Sequence, residues 1–384
     1  MAVRKGGGKY SRICKPPTRH DNQSFCLIIK QLNTIPNTLI DWYTAHRRDL
    51  PWRKTKDPYA ILLSEIILQQ TRVDQGLDYY HRFLETFPEV SNLASASEQE
   101  VLNLWQGLGY YSRARNLHKA AKRIVELNSF PDTSSELLKL PGVGPYTSAA
   151  IASFAFDEVI PVLDGNVFRF IARLLCIEAD PSNEQAKKVI RTFLESIIPK
   201  EDAASFNQAL MEFGSLQCKP QKPNCETCPL NSECIAFKQS KVSSIPLKKE
   251  KPKRRKRYFN YLVVLENGKI LVQQRGGADI WENMFEFPLI ESLEALDIED
   301  LAPLIPNDIL KNASVGRYFR RKKHLLSHQE IYSTFLVLNL DKEVSIEGKK
   351  WIPFAELEDH PFPRIIDKFL EENSLLEGKN PRFV

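Results

Sequence analysis

The chain has 384 residues, of which 42% are hydrophobic, 10% aromatic and 26% charged. That length allows two or three domains with sizeable cores, and the composition excludes both a disordered chain and a disulfide mini-protein. No uninterrupted apolar run approaches membrane-spanning length, so an integral helical membrane protein is excluded as well.

Net charge is +5, but it is unevenly placed. The first twenty residues carry Arg4, Lys5, Lys9, Arg12, Lys15 and Arg19 with no acid, and Lys248 to Arg257 holds eight bases and one Glu; the rest of the chain is net negative. Two basic segments, a tail over 1–23 and a linker over 241–257, suit non-specific attraction to phosphates or simple solvation. The start lacks the apolar stretch of a secretory signal. Its three glycines from Gly6 also break any amphipathic transit helix, so a plain extension is expected.

Between Ser24 and 240 the apolar residues recur mostly at helical spacing, which predicts an all-α domain. Asp57-Pro58 reads as N-cap and first turn of a helix running through Glu65 to Gln69. Further helices are expected over Glu98–Trp105, Ser112–Leu127, Pro145–Phe156, Asn166–Cys176, Asn183–Ile198 and Asp202–Leu216. From 258 to 384 the period changes to two. Tyr258–Leu265 and Lys269–Arg275 flank Glu266-Asn267-Gly268, a hairpin signal, followed by a strand over Ile331–Leu340 and a helix over Pro363–Glu372. The second domain therefore reads as α+β.

Chemistry concentrates in the helical part. Leu140-Pro-Gly-Val-Gly-Pro-Tyr146 lies between two helices. Gly142, Val143 and Gly144 either form an ordinary tight turn or present backbone N–H groups to a DNA phosphate at the start of the next helix. Asp164 opens another helix, where N–H donors favour an ionised carboxylate and where an N-cap is also common. Glu65 has Leu62, Leu63, Ile66, Ile67 and Leu68 around it, so it sits at the edge of a buried face or is desolvated, which raises its pKa. One protonated and one ionised carboxyl form the pair that cleaves a glycosidic bond.

The seven cysteines are odd in number, and four fall in Cys218-x6-Cys225-x2-Cys228-x5-Cys234. Four thiols so close imply one metal centre, iron–sulfur by spacing, with zinc as the alternative. Cys14, Cys26 and Cys176 have no such relation. Arg113, Arg115 and His118 share a helix that is either a DNA contact or a solvated face.

Six segments, LPWR at Leu50, SEIILQQTRV at Ser64, GLGYYSRARNLH at Gly107, LPGVGPYT at Leu140, LDGNV at Leu163 and the cysteine loop, make the chain resemble the MutY family of adenine DNA glycosylases. That family belongs to the endonuclease III-like helix-hairpin-helix superfamily. The resemblance runs from about Leu50 to the carboxyl terminus. It implies a helical helix-hairpin-helix glycosylase domain with a 4Fe-4S cluster on Cys218, Cys225, Cys228 and Cys234, plus an α+β Nudix-like domain.

By the same resemblance Glu65 protonates the adenine, Asp164 stabilises the oxocarbenium-like sugar and Asn166 orients that carboxylate. Trp52, Arg53 and Leu68 correspond to the adenine pocket. Gln70 matches the base-stack wedge, and Thr71 and Leu108 match contacts near the opposing base. Tyr146 stands where lyase-active relatives carry a Schiff-base Lys, which implies a monofunctional enzyme.

Ser327 and His328, in His324-Leu-Leu-Ser-His328, correspond to the reader of 8-oxoguanine, although Leu326 replaces the usual aromatic; a polar turn is the alternative. The second domain lacks the magnesium-holding acidic helix of Nudix hydrolases, so pyrophosphatase activity is not expected. The implied partner is double-stranded DNA with A:8-oxoguanine or A:G mispairs, bound by a monomer without a membrane. The implied place is the bacterial cytoplasm at the nucleoid, or the nucleus or an organelle in a eukaryote. The competing readings are a silent cluster-containing DNA binder, a bifunctional lyase and a Nudix hydrolase.

Overall fold

The computed structural model describes residues 34–248, 253–277, 279–320 and 323–373. The basic tail, Cys14, Cys26 and residues 249–252 of the basic run lie outside the described residues. The described residues gather into two compact units, 34–70 with 123–248, and 71–122 with those from 253 to 373. The helices in chain order up to residue 248 are α1 (Ile35–His46), α2 (Pro58–Ile67), α3 (Val73–Thr86), α4 (Val90–Ser95), α5 (Glu98–Leu104), α6 (Ser112–Glu126), α7 (Ser134–Leu137), α8 (Pro145–Phe156), α9 (Gly165–Leu174), α10 (Glu184–Ile197), α11 (Ala203–Leu216) and α12 (Ile235–Lys238).

In the first unit α2 is the central element. Asp57 caps it by accepting from the Tyr59 amide at 3.0 Å, and Pro58 occupies the first turn, where a missing N–H costs nothing. Every residue from Tyr59 to Ile67 is buried, as a helix apolar on all sides requires. It packs on α8, while α1 and α9 pack on α11. Phe213 of α11 meets Trp42 edge-on at 4.9 Å, and a Cβ at Gly214 would lie 2.7 Å from the Asn166 carbonyl oxygen. Only glycine permits that approach of α9 to α11.

The segment between α8 and α9 has no ladder of its own, and its later half is tied to α11 by one side chain. Fully buried Asn207 of α11 accepts from Val162 N at 3.0 Å and donates to the Ile160 carbonyl and Ser153 Oγ, both at 2.8 Å. Buried Arg173 of α9 does the same for the loop after α11, donating to the carbonyls of Ile245, Lys219 and Pro220.

The second unit joins α3, α4, α5 and the start of α6 to a mixed sheet. Its strands are β1 (Arg255–Glu266), β2 (Lys269–Gln274), β3 (Phe285–Glu286), β4 (Leu289–Ser292), β5 (Ala313–Arg320), β6 (His324–Leu325), β7 (Gln329–Leu340) and β8 (Lys349–Pro353). Short helices α13 (Ile298–Leu301) and α14 (Asn307–Leu310) precede β5, and α15 (Arg364–Glu372) closes the described chain. The order is β3-β2-β1-β7-β5, with β4 on β1, β6 on β7 and β8 on β2. The β1–β2 hairpin turns at Asn267 and Gly268, both at positive φ, the conformation that an Asn-Gly turn supplies without strain.

Strands β1 and β7 are parallel and paired from Arg255↔Gln329 to Leu265↔Asn339. Such a pair is buried on both faces. Phe259, Tyr261 and Val263 face a core completed by α15, where Phe335 and Phe369 stack at 4.2 Å, while Leu262 and Val264 face Ile305 and Ile309.

The expected helices and strands occur within one to three residues of their predicted bounds. Helices α1, α3 and α4, the one-turn helices α7, α12, α13 and α14, and strands β3–β6 and β8 were not foreseen; the strands among them are short or stand at sheet edges, where the period-two signal is weakest.

Two expectations need correction. The basic run is not linker throughout: its last three residues begin β1, and Arg257, 6% exposed, pairs with Asp279 at 2.7 Å and Glu291 at 2.6 Å. Arg113, Arg115 and His118 form neither a solvated face nor a free basic one. Arg113 donates to the Gly109 carbonyl at 3.1 Å beneath the Trp105 ring, Arg115 pairs with Glu282 at 2.8 Å, and the His118 ring bonds the Ala96 carbonyl at 3.0 Å.

Replacing Asn207 with Ala strands the Val162 amide and the Ile160 carbonyl in a dry interior. The expected loss is roughly 2–4 kcal/mol, read as a lower urea midpoint with unchanged m-value.

Candidate active site

Two acids meet inside the first unit. Glu65, the eighth residue of the mostly apolar α2, is 6% exposed. Its carboxyl bonds the Tyr146 hydroxyl, which comes from the first turn of α8. Burial pushes the Glu65 carboxyl up to about 7, the nearby Asp164 charge adds to that, and Tyr146 and Arg53 act against it. Burial likewise holds the Tyr146 hydroxyl far above its ordinary range, so it remains a neutral donor, 3.7 Å from Met211 Sδ.

Asp164 is the N-cap of α9, and its two oxygens are differently held. Oδ1 accepts from the Val167 amide at 2.7 Å and Oδ2 from Asn166 Nδ2 at 2.8 Å. Burial raises its pKa, while these donors and the Arg169 charge pull it back. Arg169 in turn gives Nη2 to Asn166 Oδ1 at 2.9 Å and Nε to the Cys218 carbonyl at 2.9 Å, which fixes which end of the Asn166 amide faces the carboxylate. The site thus holds one carboxyl that burial lifts to about 7 and one that burial also raises but that accepts from two fixed N–H groups.

After α2 the chain reverses: exposed Gln70 sits at φ 58°, a strained left-handed setting for a residue with a side chain. Gln69 donates to Thr147 Oγ1 at 3.3 Å. Trp52 is buried and Leu68 half-buried. Arg53 does not stand free, because its guanidinium is bound to Glu212 at 2.9 Å.

The hairpin turns at Gly142, φ 78°, with Val143 buried as its anchor, and Gly144 precedes α8 with open space where a Cβ would stand. Uncapped backbone N–H groups therefore begin α8, as an anion contact needs.

The four cysteines of 218–234 line one small cavity beside Arg173. Among the described residues no group of three or more His, Cys, Asp or Glu side chains is placed to hold a single metal ion. The donor set still fits a metal group larger than one ion. All four cysteines line the same space, and burial and mutual charge make thiolates at Cys228 and Cys234 unfavourable unless a cation accompanies them.

The second unit has its own constellation. The Ser327 and Tyr110 hydroxyls bond at 2.7 Å on the wall of an open cavity of about 600 Å³, lined also by Leu108, Trp281, Leu326 and His328. The structure thus unites Leu108 with Ser327 and His328, while Thr71 does not line that cavity; its Oγ1 is buried without a partner. Sequence reasoning missed Tyr110, an exposed aromatic at positive φ beside two glycines. It also missed Glu212, which carries the signal that marked Glu65, a lone acid among Leu210, Met211 and Phe213.

Comparison with known proteins agrees with this geometry. The HhH-GPD superfamily base excision DNA repair model matches residues 63–196, and a NUDIX domain model matches 260–372. The adenine DNA glycosylase of Buchnera aphidicola subsp. Schizaphis graminum is 32% identical over 340 residues, 87% of this chain and 96% of that protein. The adenine DNA glycosylase of Buchnera aphidicola subsp. Baizongia pistaciae is 36% identical over 304 residues, covering 77% and 83%. A solved thermostable thymine-DNA glycosylase aligns with TM-score 0.50 and 27% identity over 55% of this chain and 98% of its own. With an HhH-GPD match over the helical part, a NUDIX match over the second unit and relatives at 32% and 36% identity over most of its length, the chain belongs to the adenine DNA glycosylase family.

Proposed function

We propose that the chain excises adenine mispaired with 8-oxoguanine or guanine in duplex DNA, hydrolysing the N-glycosidic bond and leaving an abasic site with the strand intact. The observation that carries this reading is the acid pair: Glu65 raised to about 7 by burial beside an Asp164 held by the Val167 and Asn166 N–H groups.

With adenosine extruded from the stack, Glu65 gives its proton to N7 of the base. The C1′–N9 bonding pair then leaves with adenine, and the cationic sugar forms beside the Asp164 carboxylate. Water adds to C1′, its proton returns to Glu65, and the abasic sugar remains. Tyr146 holds the Glu65 carboxyl by its hydroxyl and has no amine with which to form a Schiff base, which supports a monofunctional reaction.

Ser327, with Tyr110 beside it, supplies hydroxyls that can bond the N7–H and O8 edge distinguishing 8-oxoguanine from guanine. Leu326 and Trp281 offer the apolar wall of that cavity. Nucleotide hydrolysis by the second unit has little support, because Asp279, Glu286 and Glu291 are already paired with Arg257 and Arg275. Cys218, Cys225, Cys228 and Cys234 would hold a four-iron four-sulfur cluster, which supplies a rigid cross-link for the loop that Arg173 and Arg169 grip.

Single-turnover assays on a labelled A:8-oxoguanine duplex should give breaks only after alkali, none on A:T, and a rate that falls as pH rises through about 7 when Glu65 loses its proton. Glu65→Gln should abolish cleavage at every pH. Cleavage that persists in that variant sinks the assignment.

The same carboxyl taxes stability. Its folded-state pKa lies above the unfolded value, so the folded form binds the extra proton and stability declines as pH rises from about 4.5 through 7. Glu65→Gln should therefore raise stability more at pH 8 than at pH 5, by on the order of 2–3 kcal/mol, measured by urea unfolding.

Ser327→Ala should reduce the preference for 8-oxoguanine over guanine opposite adenine by about tenfold, the worth of one specific hydrogen bond.

A further inference from the structure

Beside the acid pair stands a charged group to which the mechanism above gives no task. Glu212, on α11, is 0% exposed, and both its oxygens are saturated by two arginines. Oε1 accepts from the Arg48 amide at 2.9 Å, Arg48 Nε at 3.0 Å and Arg53 Nη1 at 3.0 Å. Oε2 accepts from Arg48 Nη2 at 2.5 Å and Arg53 Nη2 at 2.9 Å. Burial works against ionisation here, but the bonds from Arg53 and Arg48 outweigh it and hold the Glu212 carboxyl down to about 2.

The two arginines differ in surroundings. Arg48 is 36% exposed and can be solvated, whereas the Arg53 side chain is 10% exposed, lies 5.5 Å from the Tyr43 ring centre, and bears on Glu65 as a positive charge. The charged and titratable groups acting on Glu65 are Tyr146 from α8, Asp164 at the start of α9, and Arg53 from the 3-10 turn at Pro51–Arg53. Behind Arg53 stand Glu212 and Arg48.

An arginine keeps its proton in proteins, and a buried cation without a counter-ion is costly. Glu212 takes both Arg53 terminal nitrogens, at 3.0 and 2.9 Å, while Glu65 feels the same guanidinium only as a nearby positive charge. Whichever is bound to Arg53 is driven to ionise; the other is free to stay neutral.

We propose that Glu212 is a positioning residue for the cleavage: by occupying the Arg53 guanidinium on both nitrogens, it keeps Glu65 from becoming that cation's counter-ion and so leaves Glu65 its proton. This rests on Glu65 being the acid. Glu212 touches neither substrate nor reacting atoms, and it acts through Arg53.

The test is the pH dependence of single-turnover cleavage of the A:8-oxoguanine duplex by the full chain, for wild type, Glu212→Gln, Arg53→Met and the double variant. Glu212→Gln should move the alkaline midpoint down by about one pH unit, so that its rate at pH 8, relative to its own acid plateau, falls roughly tenfold further than wild type. Arg53→Met should move the midpoint upward, and the double variant should lose the downward shift even where its plateau is low.

A Glu212→Gln profile with the wild-type midpoint and a rate lowered equally at every pH overturns the proposal, since a purely structural role predicts that pattern. Should Glu212→Gln fail to fold, Arg53→Met alone decides: an unmoved midpoint overturns the proposal and an upward shift supports it. A wild type without an alkaline limb, or a limb surviving in Glu65→Gln, overturns instead the assignment of Glu65 as the acid.

Discussion

A carboxyl keeps its proton at neutral pH only where water cannot reach the charged form, and the helical unit is arranged to exclude water from Glu65. α2 is buried on every side, so the acid has no face through which to be solvated. The hydrogen bond from Tyr146 and the positive charge of Arg53 both favour ionisation, and the arrangement works because desolvation outweighs them. At Asp164 burial also raises the pKa, and the helix N-terminus with the Asn166 amide works against it. The two carboxyls thus differ in what opposes burial: one hydroxyl and a nearby cation at Glu65, two fixed N–H donors and the Arg169 charge at Asp164.

The supports of that pair are long-range. Asn207 holds the segment that delivers Asp164, Asn166 orients its carboxylate, and Arg169 fixes Asn166 while also gripping the Cys218 carbonyl. The cysteine loop is held by Arg169 and Arg173 from α9, the helix that Asp164 caps. Ordering the loop and ordering Asp164 are therefore mechanically one problem. In the Nudix-like unit guanidinium groups do comparable work: Arg257 and Arg275 neutralise Asp279, Glu286 and Glu291 across β1 to β4 and leave no free acid cluster among them.

Much of the site was legible because its signals are local. Glu65 among leucines and isoleucines, Asp164 before a helix, two glycines around Val143 and four cysteines in seventeen residues are patterns read within a single window. Asn267-Gly268 announced its hairpin for the same reason. Arg113, Arg115 and His118 were misjudged because helical periodicity tells which face a residue shares, not what stands opposite it. Their partners are the backbone carbonyls of Gly109 and Ala96 and the carboxylate of Glu282, two of them within the same segment but reached only through folded loops.

The sequence by itself determined the longer helices from α2 onward except α3, the strands β1, β2 and β7, the two acids, the cysteine set and the family, since helix caps, turn chemistry and motif spacing act over a few residues. Tertiary structure decided the protonation of Glu65, the commitment of Arg53 to Glu212 across 159 positions, the pairing of Arg257 in β1, and the meeting of Tyr110 with Ser327 across 217. Those outcomes depend on burial and on charges brought together from distant segments, and neither is a property of any window of the chain.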